Sequence, residues 1–138
     1  MKSGKSLLLL ADATVLYSAL AYRGPENKLL FSGRHMFVTT EFNALEIYRI
    51  VTRKRGLSHN EALNLIGSMP VLVVDNNSIM GKWKEAQEII GRRDMSDIPL
   101  VALALTVPDH DGIWSTDKDF DVVKQRFRVW RTSELLKQ

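Results

Sequence analysis

Short apolar runs alternate along the chain with longer segments of helical periodicity. The runs at residues 6–11 and 71–74 have the length of strands buried on both faces, and residues 113–116 and 128–130 predict two further strands. Strands that are separated by helices pair in parallel and are covered on both faces. The order of these segments therefore predicts an α/β fold of three layers, α/β/α, around a central and mainly parallel sheet.

Helix signals fill the intervals between the apolar runs. Thr39 or Thr40 can cap a helix that Gly56 ends. Ser58, followed three residues later by Glu61, has the spacing of a capping box. The predicted helices are residues 14–22, 40–54, 58–67, 78–93, 97–106 and 118–125 and a short one capped by Thr132, and residues 24–27 are predicted to form a turn.

Four acidic residues stand against apolar runs, at strand ends or at helix starts, where a folded chain normally avoids charge. They are Asp12, Glu46, Asp97 and Asp117. Asp12 and Asp117 each follow a predicted strand, and open α/β sheets bind their ligands outside the carboxyl ends of the strands. Carboxylates held together near a core repel one another unless cations are present. The pattern therefore favours a metal site at one edge of the sheet.

Helices carry the other two acids. Glu46 lies one turn from both Phe42 and Ile50, so its side chain shares an apolar face and is predicted to turn inward. Asp97 opens a helix, and Asp94 precedes it by three residues. Each acid also has a purely structural interpretation, as a turn residue, a helix cap or an ion-pair partner. Their joint placement at one predicted edge favours a single site.

Basic residues form two groups. Arg49, Arg53, Lys54 and Arg55 crowd one helix end, and Arg92 and Arg93 form the second group. With a net charge of +3, these cations must be concentrated away from the acids. Two interpretations stay open at this point: solvated faces that complement helix C-termini, or a phosphate-binding rim for nucleic acid.

Length and composition narrow the class of protein. A chain of 138 residues without a Pro-, Gly- or Ser-rich linker predicts one domain over residues 1–138. The longest unbroken apolar run, residues 7–11, is far too short to cross a bilayer. The absence of cysteine excludes disulfides and thiolate metal sites. We therefore expect a cytoplasmic protein with no membrane segment.

Four segments carry the acidic residues and their neighbours. They are residues 7–16 (LLLLADATVL), 39–47 (TTEFNALEI), 94–105 (DMSDIPLVALAL) and 113–120 (IWSTDKDF). Together they resemble the PIN domain family, and the resemblance spans nearly the whole chain. It implies a small α/β/α fold with a parallel sheet. It also implies the activity of a magnesium- or manganese-dependent ribonuclease, as in the toxins of VapBC toxin–antitoxin pairs.

The resemblance assigns roles to particular residues. It implies the acidic metal-binding and catalytic set Asp12, Glu46, Asp97 and Asp117, with Asp119, Asp94, Ser115 and Thr14 in support. Ser115 matches the hydroxyl that family members place before the last acid. Thr14 stands where many relatives have Asn, and its hydroxyl could orient a metal-bound water. Oxygen ligands without His or Cys suit Mg²⁺ or Mn²⁺.

The resemblance also implies partners. They are RNA as substrate, an antitoxin protein, and a second subunit in a homodimer. The candidate surface for pairing is the helix around Ile79, Trp83 and residues 86–90. The RNA target, the existence of an antitoxin and the choice between one and two metal ions are not encoded in the sequence.

Two alternatives to a PIN-type nuclease remain. A strand that ends in Asp12, followed by Asp117 and Asp121, is similar to a haloacid-dehalogenase-type phosphatase. That family expects another acid at Thr14, and it leaves Glu46 and Asp97 without roles. The second alternative is a PIN-like scaffold that binds RNA or protein without cutting. A missing acid would favour the scaffold, and none of the expected acids is missing.

Overall fold

A five-stranded parallel sheet forms the centre of the fold in the computed structural model, which describes residues 5–91 and 95–138. The strands are β1 (Leu8–Ala11), β2 (Met36–Thr40), β3 (Val71–Val74), β4 (Ile113–Trp114) and β5 (Val129–Trp130). Their order across the sheet is β3-β2-β1-β4-β5, and all neighbouring pairs are parallel. The predicted parallel sheet is therefore confirmed.

Helices cover both faces of this sheet. One layer holds α1 (Ala13–Ala21), α2 (Pro25–Leu30), α3 (Glu41–Arg53), α4 (His59–Gly67) and α8 (Thr132–Leu136). The other holds α5 (Asn76–Met80), α6 (Trp83–Ile90), α7 (Ile98–Thr106) and 3-10 helices at Met95–Asp97 and Lys118–Val123. Along β1, Leu9 and Ala11 pack into the first layer and Leu10 into the second. The three-layer α/β/α prediction is confirmed.

The central strands bring their carboxyl ends to one edge. Asp12 follows β1 and caps α1, because its carboxylate accepts the N–H of Val15 at 2.9 Å. Thr40 ends β2 and caps α3, with its hydroxyl oxygen accepting the N–H of Asn43 at 3.1 Å. Since β1 lies between β2 and β4, the residues that follow these strands are neighbours at this edge.

Helix α2 and strand β2 both differ from the sequence prediction. Residues 24–27, predicted to form a turn, begin helix α2, in which Pro25 occupies the first turn. Proline is favoured at that position because the first N–H of a helix has no partner within the helix. The pattern also predicts no strand at β2, because its apolar part is short and its two threonines resemble a helix cap. In the structure Thr40 serves both elements.

Strand β3 is present where it was predicted, but the prediction that both of its faces are buried is wrong. Leu72 is 66% exposed and Val73 is 37% exposed, because β3 is the edge strand of the sheet. A short apolar run indicates a strand and not its place in the order of strands.

The predicted helix at residues 78–93 is two helices, α5 and α6. Ile79, Ala86 and Ile90 are fully buried in the core of the same protomer, so the surface suggested for pairing packs inward instead. Arg92, Arg93 and Asp94 lie outside the described residues. Within the described part of the chain, no helix has the length and apolar character to cross a membrane.

Candidate metal centre

Three acidic side chains come together at the carboxyl edge of the sheet. Carboxylate oxygens of Asp97, Asp117 and Asp119 lie within 4.8 Å of one another. Asp97 is buried, and the other two are half-buried. Helix α7 returns along the sheet toward β4, so its first residues lie near the edge where β4 ends. The start of α7 and the loop after β4 thus deliver the three carboxylates to one place.

Ser115 connects Asp12 to this group. The Ser115 hydroxyl donates to Oδ2 of Asp12. The hydroxyl oxygen of Ser115 also accepts the N–H of Asp117 at 2.9 Å. Oδ1 of Asp117 in turn accepts the N–H of Asp119 at 2.8 Å. Ser115 is fully buried, and Asp12 is 5% exposed. The fourth acid is therefore held beside the other three through one buried hydroxyl.

Asp12 has a strongly altered affinity for protons. Burial raises the pKa of its carboxyl to about 6, and the negative charge of Asp117 adds to this rise. Hydrogen bonds from the Ser115 hydroxyl and the Val15 N–H oppose the rise in pKa without cancelling it. A cation beside Asp12 would favour its charged form.

The raised pKa of Asp12 predicts how binding of Mn²⁺ depends on pH. Below the pKa of about 6, the carboxyl of Asp12 is mostly neutral and adds no negative charge beside the ion, so we expect affinity to rise with pH up to that value and then level off. The rise should approach about tenfold per pH unit, the limit for one coupled proton. Isothermal titration of Mn²⁺ at several pH values measures it. The Asp12→Asn variant should lose this part of the pH dependence, and an unchanged profile would contradict the coupling.

Two other predicted residues lie near this edge without joining the group of three. Glu46 is half-buried on α3 and is not a member of the group. Its helical neighbour Phe42 packs against Trp83, with ring centroids 5.1 Å apart, so the apolar face predicted for this part of α3 exists. Thr14 is exposed in the first turn of α1, next to the cap residue Asp12.

The basic residues predicted to bind nucleic acid stand apart from the acids. Arg49, Arg53, Lys54 and Arg55 are exposed along the C-terminal half of α3 and just beyond it. Helix α3 starts at the carboxyl edge, and its 13 residues carry the chain about 20 Å away from that edge. Arg55 donates to the Tyr17 hydroxyl at 3.0 Å.

A different cation lies beside the acidic site. Arg131 directly follows β5, and its Nη1 donates to the carbonyl oxygen of Ser115 at 2.9 Å. Arg131 is not among the site residues predicted from the sequence. The rule that selected Asp12 and Asp117, a charged residue directly after a strand, could have found it.

The residues at this edge fit a hard divalent cation. The donor set consists of carboxylate oxygens, which Mg²⁺ and Mn²⁺ prefer. The N-termini of α1 and α7 also point their N–H groups toward this edge, which offsets part of the repulsion between the carboxylates. Asp97, Asp117 and Asp119 are the residues that could hold the ion.

The fold and this edge define an α/β/α protein with a carboxylate site where its parallel strands end. A family model described as the PIN domain matches residues 10–137, and the chain belongs to the PIN domain family. This finding confirms the resemblance and replaces the phosphatase alternative.

A solved structure shares the fold. VapC20 of Mycobacterium tuberculosis, described as a toxin that cleaves the sarcin-ricin loop, matches with a TM-score of 0.63. The match covers 86% of this chain and 95% of that chain at 18% sequence identity. At that identity the likeness shows the fold alone. A comparison with curated protein sequences gives no match.

Proposed function

We propose that this protein is a Mg²⁺- or Mn²⁺-dependent endoribonuclease that hydrolyses phosphodiester bonds of RNA. The observation that carries the proposal is the group formed by Asp97, Asp117 and Asp119, whose oxygens lie within 4.8 Å of one another. Membership of the PIN domain family supports it, because the resemblance implies this activity. VapC20, which shares the fold, is described as a toxin that cleaves the sarcin-ricin loop.

In this proposal the acids hold the cation and one buried hydroxyl fixes their positions. Asp97, Asp117 and Asp119 would bind the ion, and Asp12 supplies a fourth negative charge next to Asp117. A bound Mg²⁺ or Mn²⁺ supplies an activated water and stabilises negative charge on the phosphodiester. Ser115 holds Asp12 and Asp117 together by donating to one and accepting from the other. No side chain has to form a covalent bond with the RNA.

Glu46 and Thr14 remain part of the proposed site as predicted contributors. Glu46 lies in the second turn of α3, the helix that starts at the carboxyl edge.

The basic residues at the C-terminal end of α3 would bind the phosphates of a longer RNA at a distance from the metal centre. These cations would add an electrostatic contribution to binding that weakens as salt is added.

The proposed partners follow from the same likeness. We infer that the protein is the toxin of a toxin–antitoxin pair, with an antitoxin protein and a second subunit as partners. Because the helix face around Ile79 is buried within the protomer, a homodimer would use another surface. The exposed edge strand β3, with Leu72 at 66% exposure, is one apolar element available for such pairing.

Two measurements distinguish a nuclease from a scaffold that binds without cutting: thermal unfolding with and without Mn²⁺, and an assay of RNA cleavage. An ion that binds only the folded state stabilises it by about 2.7 kcal/mol at about 100 times its Kd. We expect the wild-type protein to gain stability from Mn²⁺ and to cut RNA. The scaffold would show neither effect, and that result would overturn the proposal.

A further inference from the structure

Arg131 joins the two ends of the acidic loop, as we call residues 115–121, which run from the end of β4 into the 3-10 helix Lys118–Val123. Its Nη1 donates to the carbonyl oxygen of Ser115 at 2.9 Å. Its Nη2 donates to Oδ1 of Asp121 at 2.9 Å. One planar guanidinium therefore fixes the distance between the start of this loop and its end.

The contact with Ser115 completes the hydrogen bonding of that residue. The N–H of Ser115 donates to the carbonyl of Trp130 at 3.2 Å, and its hydroxyl donates to Asp12 and accepts from Asp117. With Arg131 on the carbonyl, the N–H, the hydroxyl and the carbonyl of Ser115 are all engaged, in four hydrogen bonds. The peptide that leads from Ser115 toward Asp117 is thereby held in one orientation.

Arg131 also neutralises one of the three acids of the loop and leaves the other two to the candidate metal centre. Asp121 pairs with Arg131 and with Lys124, whose Nζ lies 3.1 Å from the same carboxylate oxygen. Asp117 and Asp119 instead lie with Asp97. The loop thus presents two of its three acids to the candidate metal centre and pairs the third with cations on the protein.

We propose that Arg131 is a positioning residue for the candidate metal centre, and this inference rests on the proposed metal-dependent function. Arg131 holds the acidic loop so that the carboxylates of Asp117 and Asp119 converge on Asp97. Its side chain is 29% exposed, whereas those of Lys124 and Arg128 are 52% and 56% exposed. Both ends of its guanidinium bind groups of the protein. This geometry favours an internal role over direct binding of an RNA phosphate.

The test measures binding of Mn²⁺ by isothermal titration and steady-state cleavage of RNA for Arg131→Gln. We expect the affinity for Mn²⁺ and kcat each to fall by about 10- to 100-fold, the usual effect of removing a residue that orients metal ligands. The KM for RNA should stay nearly constant, because the lost contacts are not with the substrate. The N–H of Arg131, which donates to Glu134 at 2.8 Å, is retained in the variant.

Matched variants distinguish the effect of the two hydrogen bonds of Arg131 from the effect of losing a positive charge in this part of the chain. Arg128→Gln removes the same charge from the same part of the chain, but Arg128 stacks on Trp130 at 3.8 Å and lies 3.7 Å from Glu134. We expect this variant to bind Mn²⁺ as the wild type does. Arg131→Lys should be intermediate, because an ammonium cannot bridge the two acceptors as a planar fork does.

Several outcomes would overturn the inference. A raised KM with unchanged affinity for Mn²⁺ would make Arg131 a contact for RNA. A lowered Tm with unchanged affinity for Mn²⁺ would make it a residue of the fold alone. A wild-type protein that binds no Mn²⁺ would overturn the proposed function and this inference together.

One outcome distinguishes the two proposals. If the wild type binds Mn²⁺ but cuts no RNA, and Arg131→Gln weakens that binding, the positioning role is supported and the nuclease proposal fails.

Discussion

Asp12→Asn is expected to reduce Mn²⁺-dependent RNA cleavage about a thousandfold or more and to weaken the stabilisation by Mn²⁺. The substitution removes a negative charge next to Asp117 while keeping an oxygen that can accept the N–H of Val15. Single-turnover cleavage and thermal unfolding in the presence of Mn²⁺ measure the two effects.

The same variant should leave the metal-free protein at least as stable as the wild type at neutral pH. The pKa of Asp12 is raised from its ordinary value of 3.8 to about 6 in the folded state, so between these two pH values the folded protein binds more protons than the unfolded chain. Stability of the wild type therefore falls as pH rises through this window, and asparagine avoids the loss. Urea denaturation of both proteins without metal measures the difference.

Two further substitutions serve as a second test of the site and as a control for Asp12→Asn. Asp97→Asn should lose cleavage to a similar extent, because its carboxylate belongs to the group of three. Asp109→Asn removes the same charge from an exposed loop position and should retain full activity. Cleavage retained in both Asp12→Asn and Asp97→Asn would show that the acidic site is assigned wrongly.

Gly112→Ala is expected to destabilise the fold by about 3 kcal/mol or more. Gly112 has φ of 132°, and a Cβ at this position would lie 2.5 Å from the carbonyl oxygen of Arg128 and 2.8 Å from the Trp130 ring. That carbonyl accepts the N–H of Ile113 at 2.8 Å, a hydrogen bond between β4 and the residue directly before β5. Because β4 leads to Ser115, the variant should lose the acidic site together with this part of the sheet.

Gly81→Ala is the matched control for this substitution. Gly81 has φ of −62°, and a Cβ there meets nothing within 4 Å. Alanine at this position should change stability by no more than about 1 kcal/mol and is expected to stabilise, since it restricts the unfolded chain. Chemical denaturation of the two variants decides the matter. Equal stabilities would mean that β4 and β5 do not pack as the structure has them.

The fold was largely predictable because its central strand and its helices carry strong local signals. The run that ends at Ala11 is continuous and apolar, and Ser58 with Glu61 forms the predicted capping box. Strand β2 was not predicted because Thr40 belongs to the strand and to a helix cap at once. The exposure of β3 depends on strand order, which is a tertiary property that no local pattern contains.

Prediction of the site had a similar limit. Helical periodicity gives the direction of Glu46 relative to its own helix, but not its distance from acids on other elements. Asp119, predicted only as a supporting acid, belongs to the group of three because the loop after β4 is held by Ser115 and Arg131. The contact of Arg131 required β5 to lie beside β4, and that neighbour relation is not visible in the sequence.

The most direct test of the central claim is to incubate the purified protein with a pool of structured and unstructured RNAs, with and without Mn²⁺, and to map the cut sites. We expect cleavage at defined sites only when the metal is present, and none with Asp97→Asn. No cleavage of any RNA by the wild-type protein, with Mn²⁺ or with Mg²⁺, would contradict a metal-dependent ribonuclease and leave the binding scaffold as the better account.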